Sequence, residues 1–222
     1  MLLAFDTSSA AVTVALATPA GEVLASSSTV DGLRHGELLA PAIAAALATA
    51  GCRPRDLTQI AVGVGPGPFT GLRVGLVTAR TMADVLGIEV AGVCSLDILA
   101  LQSPVDQPVA VATDARRKEI YWALYDSPAL DGSRRRIEGP AVDRPADVSH
   151  VLAGLPLTGR GVTLYADALG RGTGAEIIEY PSAEVLAQGV ATGTLQIVAP
   201  DPLYLRRPDV TMSAGPKSVL PT

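Results

Sequence analysis

Leu2-Leu-Ala-Phe-Asp6 is an apolar run closed by an aspartate, and Val109-Ala-Val-Ala-Thr-Asp114 repeats that pattern about 108 residues later. Ala15-Leu16 stand nine and ten residues after Asp6, and Ala123-Leu124 stand nine and ten residues after Asp114. Thr18-Pro19 closes the first returning strand, and Ser127-Pro128 closes the second after a slip of one residue. Strand, aspartate, short turn and returning strand therefore recur, which predicts an internal duplication: two lobes of one topology. Around the first copy, Val12–Ala17 reads as a second strand and Glu22–Thr29 as a third after the Pro19-Ala-Gly21 turn. Helical spacing follows over His35–Ala50, then a strand at Gln59–Gly65, a helix at Gly71–Leu86, a strand at Ile88–Val93 and a short helix near Ser95–Leu101. This order predicts a mixed α/β sheet.

The second lobe reads as reduced. Strands are predicted at Arg134–Val142, Val162–Ala166 and Ile177–Tyr180, with helices at Pro145–Ala153 and Ser182–Gly193. Residues 1–104 are expected to form the first lobe and 105–210 the second. The Gly/Pro/Ser-rich run 211–222 is expected to be a mobile tail.

Composition narrows the function classes. The 222 residues carry 17 Lys+Arg against 22 Asp+Glu, a net charge of −5, with 4% aromatics. A stand-alone nucleic-acid binder needs excess cationic charge and aromatic faces, so that class is disfavoured. Cys52 and Cys94 suit thiols in a reducing compartment. The start lacks a basic region before its apolar run, and the charge-free stretch Leu38–Cys52 is shorter than the about 20 residues of a membrane span. A cytoplasmic protein is expected.

Gly63-Val-Gly-Pro-Gly-Pro-Phe-Thr-Gly-Leu-Arg-Val-Gly75 has the look of a phosphate loop but lacks the lysine and the glycine spacing of the known ones. Pro66 and Pro68 have no N–H to offer an anion. The segment reads as a rigid strand-to-helix turn with Thr70 as helix cap, or as an anion contact at the helix N-terminus. Beyond it, Gly71, Gly75, Ala79 and Ala83 form a stripe of minimal side chains that lets another backbone approach. Leu72, Leu76 and Val77, with Met82 and Leu86 further on, present larger apolar groups around the remaining face. The first helix, with Leu38, Leu39, Ala42, Ile43 and Ala46, is apolar nearly all round. The pair is either a subunit interface or an interior layer.

Groups for chemistry are sparse. His35 and His150 are the two histidines, and no Cys/His cluster with metal-ligand spacing exists in the sequence. His35 suits a structural hydrogen bond. Asp6 and Asp114, at matching strand ends, either flank a nucleotide–metal site between the lobes, with Thr7, Ser8, Gly67 and Thr70 as further contacts, or stabilise their own turns. Arg116-Arg-Lys118 and Arg134–Arg136 read as a solvated turn and edge, or as a contact for RNA or an acidic partner.

Several of these segments together resemble the TsaB (YeaZ) family of bacterial tRNA threonylcarbamoyladenosine-biosynthesis proteins. They are Asp6-Thr-Ser8, Arg34-His-Gly-Glu-Leu-Leu-Ala-Pro41, Gly65-Pro-Gly-Pro-Phe-Thr-Gly-Leu-Arg73, Asp114-Ala-Arg116 leading into Glu119-Ile-Tyr-Trp122, and Pro202-Leu-Tyr-Leu-Arg206. Gly36 and Pro68 stand where the family usually has serine. The resemblance implies a duplicated ribonuclease-H-like, actin-like ATPase (ASKHA) fold. It also implies a paralogue, TsaD, whose segment after the glycine-loop helix carries two metal-binding histidines. Here Ser95 and Leu99 stand at those places, in Gly92-Val-Cys-Ser-Leu-Asp-Ile-Leu99. Neither makes a good metal ligand.

The implied role is a non-catalytic subunit with no cofactor or metal of its own. ATP or ADP and a metal are expected on its partners. Those partners are a TsaD-like transferase and a small TsaE-like ATPase, with tRNA reached only through the complex, a homodimer in isolation and no membrane. The implied partner interface is Leu38, Leu39, Ala42, Ile43, Ala46, Gly71, Leu72, Gly75, Leu76, Ala79, Met82 and Ala83. The rival classes are an ATPase or small-molecule kinase of the same fold acting alone, and a metallopeptidase.

Overall fold

A computed structural model describes residues 1–170 and 177–206. The run 211–222 lies outside the described residues. The first sheet contains β1 (Leu2–Asp6), β2 (Ala11–Ala17), β3 (Val23–Val30), β4 (Gln59–Gly63) and β5 (Glu89–Val93), with a two-residue β10 (Ile197–Val198) at its far edge, in the order β10-β5-β4-β1-β2-β3. β1, β2 and β3 form an antiparallel meander, and β4 and β5 continue the sheet in parallel from β1. The second sheet orders β8 (Arg136–Asp143), β7 (Ile120–Tyr125), β6 (Val109–Asp114) and β9 (Leu157–Thr158). Its two hairpin pairs are antiparallel and β9 runs parallel to β6. Third, second, first and fourth strands are thus neighbours in both sheets, and Asp6 and Asp114 end equivalent strands. The duplication expected from the two aspartate-closed runs is present in the topology.

Side-chain alternation explains the layers. Leu3 and Phe5 of β1, Val14 and Leu16 of β2, and Ile60 and Val62 of β4 point to the face covered by α1 (His35–Thr49) and α2 (Phe69–Leu86). Leu2, Ala4, Ala15, Ala17 and Ala61 point to the other face, where small side chains let α7 (Ala183–Thr192) lie close. α3 (Ser95–Gln102) bridges the two halves, with Ile98 against α7 and Leu96 and Leu99 against β6 and β7. α4 (Pro145–Leu152) covers the outer face of the second sheet.

Three local expectations are corrected. Residues 162–166 are not a strand: after the two residues of β9 the chain turns at Gly159, φ +102°, into α5 (Arg160–Leu164) and then α6 (Ala166–Leu169). Residues 177–180 enter neither sheet, although the Ile178 and Glu179 carbonyls accept hydrogen bonds from the Gly159 and Arg160 amides. Finally, α7 and β10, placed by sequence in the second lobe, pack on the first sheet.

The arginine run at 134–136 serves structure. Arg136 grips the Asp97 carboxylate, Nη2 lying 2.7 Å from Oδ1 and 2.6 Å from Oδ2, and the Tyr125 hydroxyl donates to the same Asp97 Oδ1 at 2.6 Å. Arg134 donates to the carbonyls of Gln107, Asp126, Ser103 and Val105, clamping the link between α3 and β6. Asp97 and Arg136 are mostly covered, with side chains 12% and 23% exposed. Arg136→Ala would strand a covered carboxylate, so a loss of about 3–5 kcal/mol is expected in chemical denaturation. An unchanged midpoint would contradict this assignment.

Candidate functional site

The glycine loop is folded around the β1–β2 turn, and the site is assembled there. A Cβ on Gly63 would lie 1.8 Å from Asp6 Oδ2, one on Gly67 2.0 Å from the Ser8 carbonyl oxygen, one on Gly71 2.4 Å from that of Thr7, and one on Gly75 2.4 Å from Thr7 Oγ1. The missing side chains make room for the chain's own turn, and the Thr7 hydroxyl closes the contact by donating to the Gly71 carbonyl at 2.8 Å. Gly65, at φ +94°, occupies a conformation that favours glycine. His35 is buried and its Nε2 donates to the Ser9 carbonyl at 2.7 Å, the structural hydrogen bond expected of it. The expected cap is corrected: the N-cap of α2 is Pro68, without a side-chain hydrogen bond, and Thr70 is an exposed residue of the first turn.

Asp6 is 1% exposed, and both its oxygens are engaged by this chain. Oδ1 accepts from the Ser8 amide at 2.8 Å and the Ser8 hydroxyl at 2.7 Å, while Oδ2 accepts from the Ser95 hydroxyl at 2.5 Å. Ser95 Oγ in turn accepts from the Gly65 amide at 3.2 Å, and the Ser95 amide donates to the Gly65 carbonyl at 2.8 Å. Ser95 stands where the resemblance puts a metal-binding histidine of the paralogue. Its hydroxyl here ties Asp6 to the glycine loop. Leu99 is fully buried in the apolar layer beneath.

Burial pushes the Asp6 carboxyl above the usual carboxylate range, opposed by the hydrogen bonds from Ser95 and Ser8. A carboxyl raised in the folded state holds its proton more tightly folded than unfolded. Its contribution is therefore fully present below the unfolded value and is lost as pH rises through the folded value. From about pH 4 upward, the stability of the natural chain relative to Asp6→Asn is expected to fall with rising pH. Denaturant midpoints across that range check it, and a rising or flat difference would contradict it.

Between the two sheets lies a cleft of about 370 Å3, lined by Ser8, Ser9, Pro66, Pro68, Thr113, Asp114, Arg116, Arg160, Glu179 and apolar neighbours. Its charges are largely paired within the chain. Arg160 Nη1 lies 2.6 and 2.7 Å from the two Glu179 oxygens, and Arg116 Nε lies 3.8 Å from Asp114 Oδ2. Asp114 Oδ1 accepts from the Arg116 amide at 2.9 Å, at the start of a turn in which Arg116, Arg117 and Lys118 all have positive φ. Of the six residues considered for a nucleotide or anion, Ser8 and Asp114 line this cleft. Asp6 and Thr7 are enclosed, Gly67 is packed on Ser8, and Thr70 faces outward. Among the described residues, no three His, Cys, Asp or Glu side chains are grouped closely enough to hold a metal ion.

The helical pair gives the larger correction. Leu39, Ile43, Ala46, Gly71, Leu72, Gly75, Leu76, Ala79 and Ala83 are buried within the monomer, and Leu38, Ala42 and Met82 are half-buried. The outward face is a different stripe. On α2 it runs Phe69, Arg73, Val77, Thr81, Val85 at four-residue steps, with Val77 61% and Val85 80% exposed. On α1 it comprises Ala40, Pro41, Ala44, Ala45 and Ala48, with Glu37 at one end. Periodicity locates both stripes. The expected interface, the small stripe of α2 with its larger apolar neighbours, lies on the side that the core claims. At the start of α2 the Arg73 guanidinium lies 3.6 Å from the Phe69 ring centroid, and Tyr204 stacks on that ring at 5.1 Å.

Two sheets of one strand order, joined by bridging helices and facing a common cleft, define the duplicated ribonuclease-H-like architecture of the actin-like ATPases (ASKHA). Residues 29–159 match the family model described as TsaD, tRNA N6-adenosine threonylcarbamoyltransferase. The chain is 30% identical over 188 residues to the tRNA threonylcarbamoyladenosine biosynthesis protein TsaB of Escherichia coli, covering 78% of this chain and 80% of that one. A crystal structure from Pseudomonas aeruginosa, described as an uncharacterized protein with similarity to peptidase YeaZ, superposes with a TM-score of 0.78 at 32% identity, over 92% of this chain and 99% of that one. An uncharacterized protein of Mycobacterium leprae is 42% identical over 212 residues, 94% of this chain, which spans 55% of that relative's length. The chain belongs to the TsaB (YeaZ) family. Among the described residues, no helix is long and apolar enough to cross a membrane.

Proposed function

We propose that this chain acts in the biosynthesis of threonylcarbamoyladenosine in tRNA as a partner subunit without a reaction centre of its own. The observation that carries the reading is the outward α1–α2 face, where Val77 and Val85 stand clear of the monomer's core beside an alanine-rich α1. An exposed apolar patch of this kind marks an interaction surface. In this reading the face receives the equivalent helices of a TsaD-type transferase and holds that enzyme in its active arrangement. The joined pair offers a docking edge to a TsaE-type ATPase, and tRNA is reached through the complex. Without the transferase, the same face pairs with itself as a two-fold dimer.

Support for the absence of chemistry comes from Asp6, whose oxygens are both occupied by Ser8 and Ser95, and from the paired charges of the cleft. The transferase activity then resides in the partner, together with its nucleotide and metal. Reconstitution tests the reading. Transfer RNA is incubated with the transferase, the ATPase, threonylcarbamoyl-adenylate and either this chain or buffer. Modification is expected to need the chain, and full modification without it would overturn the proposal.

A further inference from the structure

β6 and β7 are joined through Arg116, Arg117 and Lys118, whose φ angles are +63°, +53° and +63°. Among the described residues, no other side-chain-bearing residue has positive φ. An L side chain crowds its own backbone there, and glycine or asparagine is the usual occupant. This turn instead carries three successive cations, all exposed, in a chain of net charge −5. Its surroundings hold it in place. Asp114 Oδ1 accepts from the Arg116 amide at 2.9 Å, and the Glu119 amide donates to the Arg116 carbonyl at 3.0 Å. From the other side Arg206 Nη1 donates to the Ala115 carbonyl at 3.2 Å, and its Nη2 lies 3.0 Å from Glu119 Oε2. A strained turn braced on both sides, and filled with charges instead of the residues its backbone favours, points to a contact outside the chain.

We propose that the turn Arg116-Arg117-Lys118 contacts the phosphate backbone of the tRNA on which the complex acts. The inference rests on the reading of this chain as a partner subunit in tRNA modification. The turn stands at the N-terminal end of the helical face. Arg116 Nη2 is 3.7 Å from the place a Cβ on Gly32 would take, in the loop entering α1, and Arg206 lies two residues beyond Tyr204, which stacks on Phe69 at the start of α2. A transferase seated on α1 and α2 therefore has this cationic turn beside it, within reach of RNA that the transferase holds. Cations at consecutive positions suit a polymer with a charge on every unit, and such contacts position a nucleic acid without reading its bases. Because the chain as a whole is acidic, the turn adds to the affinity of the complex and does not make the chain a binder alone.

The complex of the full-length chain with the TsaD-type transferase is titrated with tRNA by filter binding over a range of salt. Arg116→Asn together with Lys118→Asn removes two cations and installs a residue that this backbone tolerates. The slope of log affinity against log salt is expected to lessen by about 1.4–1.8, with weaker binding at low salt and unaltered affinity between the two proteins. In the natural complex, tRNA is expected to shield Lys118 from acetylation, read by mass spectrometry without any substitution. Unchanged tRNA affinity and slope, in a complex that still modifies tRNA at saturating substrate, overturn the proposal. A loss confined to affinity for the transferase or the ATPase also overturns it, and assigns the turn to an acidic protein surface. If the variant does not fold, acetylation of Lys118 indifferent to tRNA overturns the proposal equally. Failure of the natural chain to stimulate modification at all instead overturns the partner-subunit reading.

Discussion

Gly75→Leu is expected to cost the fold itself, by about 3 kcal/mol or more, and not merely a contact with a partner. Even the first carbon of the new side chain would sit 2.4 Å from Thr7 Oγ1 and 3.7 Å from the side chain of Val62. Relief requires moving the β1–β2 turn, and with it the Thr7 hydroxyl bonded to the Gly71 carbonyl and the Asp6–Ser95 link one residue away. For a chain of this size, such a loss lowers the melting temperature by about 6–12 °C. Thermal unfolding followed by circular dichroism checks it. A variant that melts with the natural protein would return Gly75 to the molecular surface.

The same glycine shows how far the sequence could be read. A stripe of Gly71, Gly75, Ala79 and Ala83 correctly signals that a backbone comes close. It does not say whose, because two segments 60 or more residues apart in the chain and a second molecule leave the same signature. At both glycines the close residue is Thr7, in the turn after an aspartate-closed strand that the sequence marks on different grounds. The duplication was legible because alternation and turn chemistry are local and occur twice. The helix at 160–164 was not, because its five residues carry too few turns to show a period. Asp6 was recognised as special, but its enclosure depends on Ser95, 89 positions away. No spacing rule connects them. Likewise, the outward stripe of α2 is visible in the sequence as Val77, Thr81 and Val85, but only the packed sheet tells which apolar stripe a helix spends on its own core.

Val77→Glu is expected to abolish pairing with a TsaD-type transferase while leaving the chain folded. Val77 is 61% exposed in the monomer, so a carboxylate there meets water and unfolding midpoints should not move. In the proposed complex the same position is covered by the partner's helix, and the carboxylate would be buried without a counter-charge. Central interface positions of this kind cost about 2–4 kcal/mol when disrupted, roughly 30- to 700-fold in dissociation constant. Titration calorimetry against the isolated transferase reads the change. Unaltered affinity would remove α2 from the interface.

The account stands on the claim that this chain contributes a surface and no chemistry. The most direct test measures tRNA modification by the transferase and the TsaE-type ATPase in the presence of the natural chain, of the chain carrying Val77→Glu and Val85→Glu, or of neither. The natural chain is expected to drive modification, and the double variant, though folded, to perform no better than its omission. Equal modification by the double variant, or modification by the natural chain alone, would contradict the account.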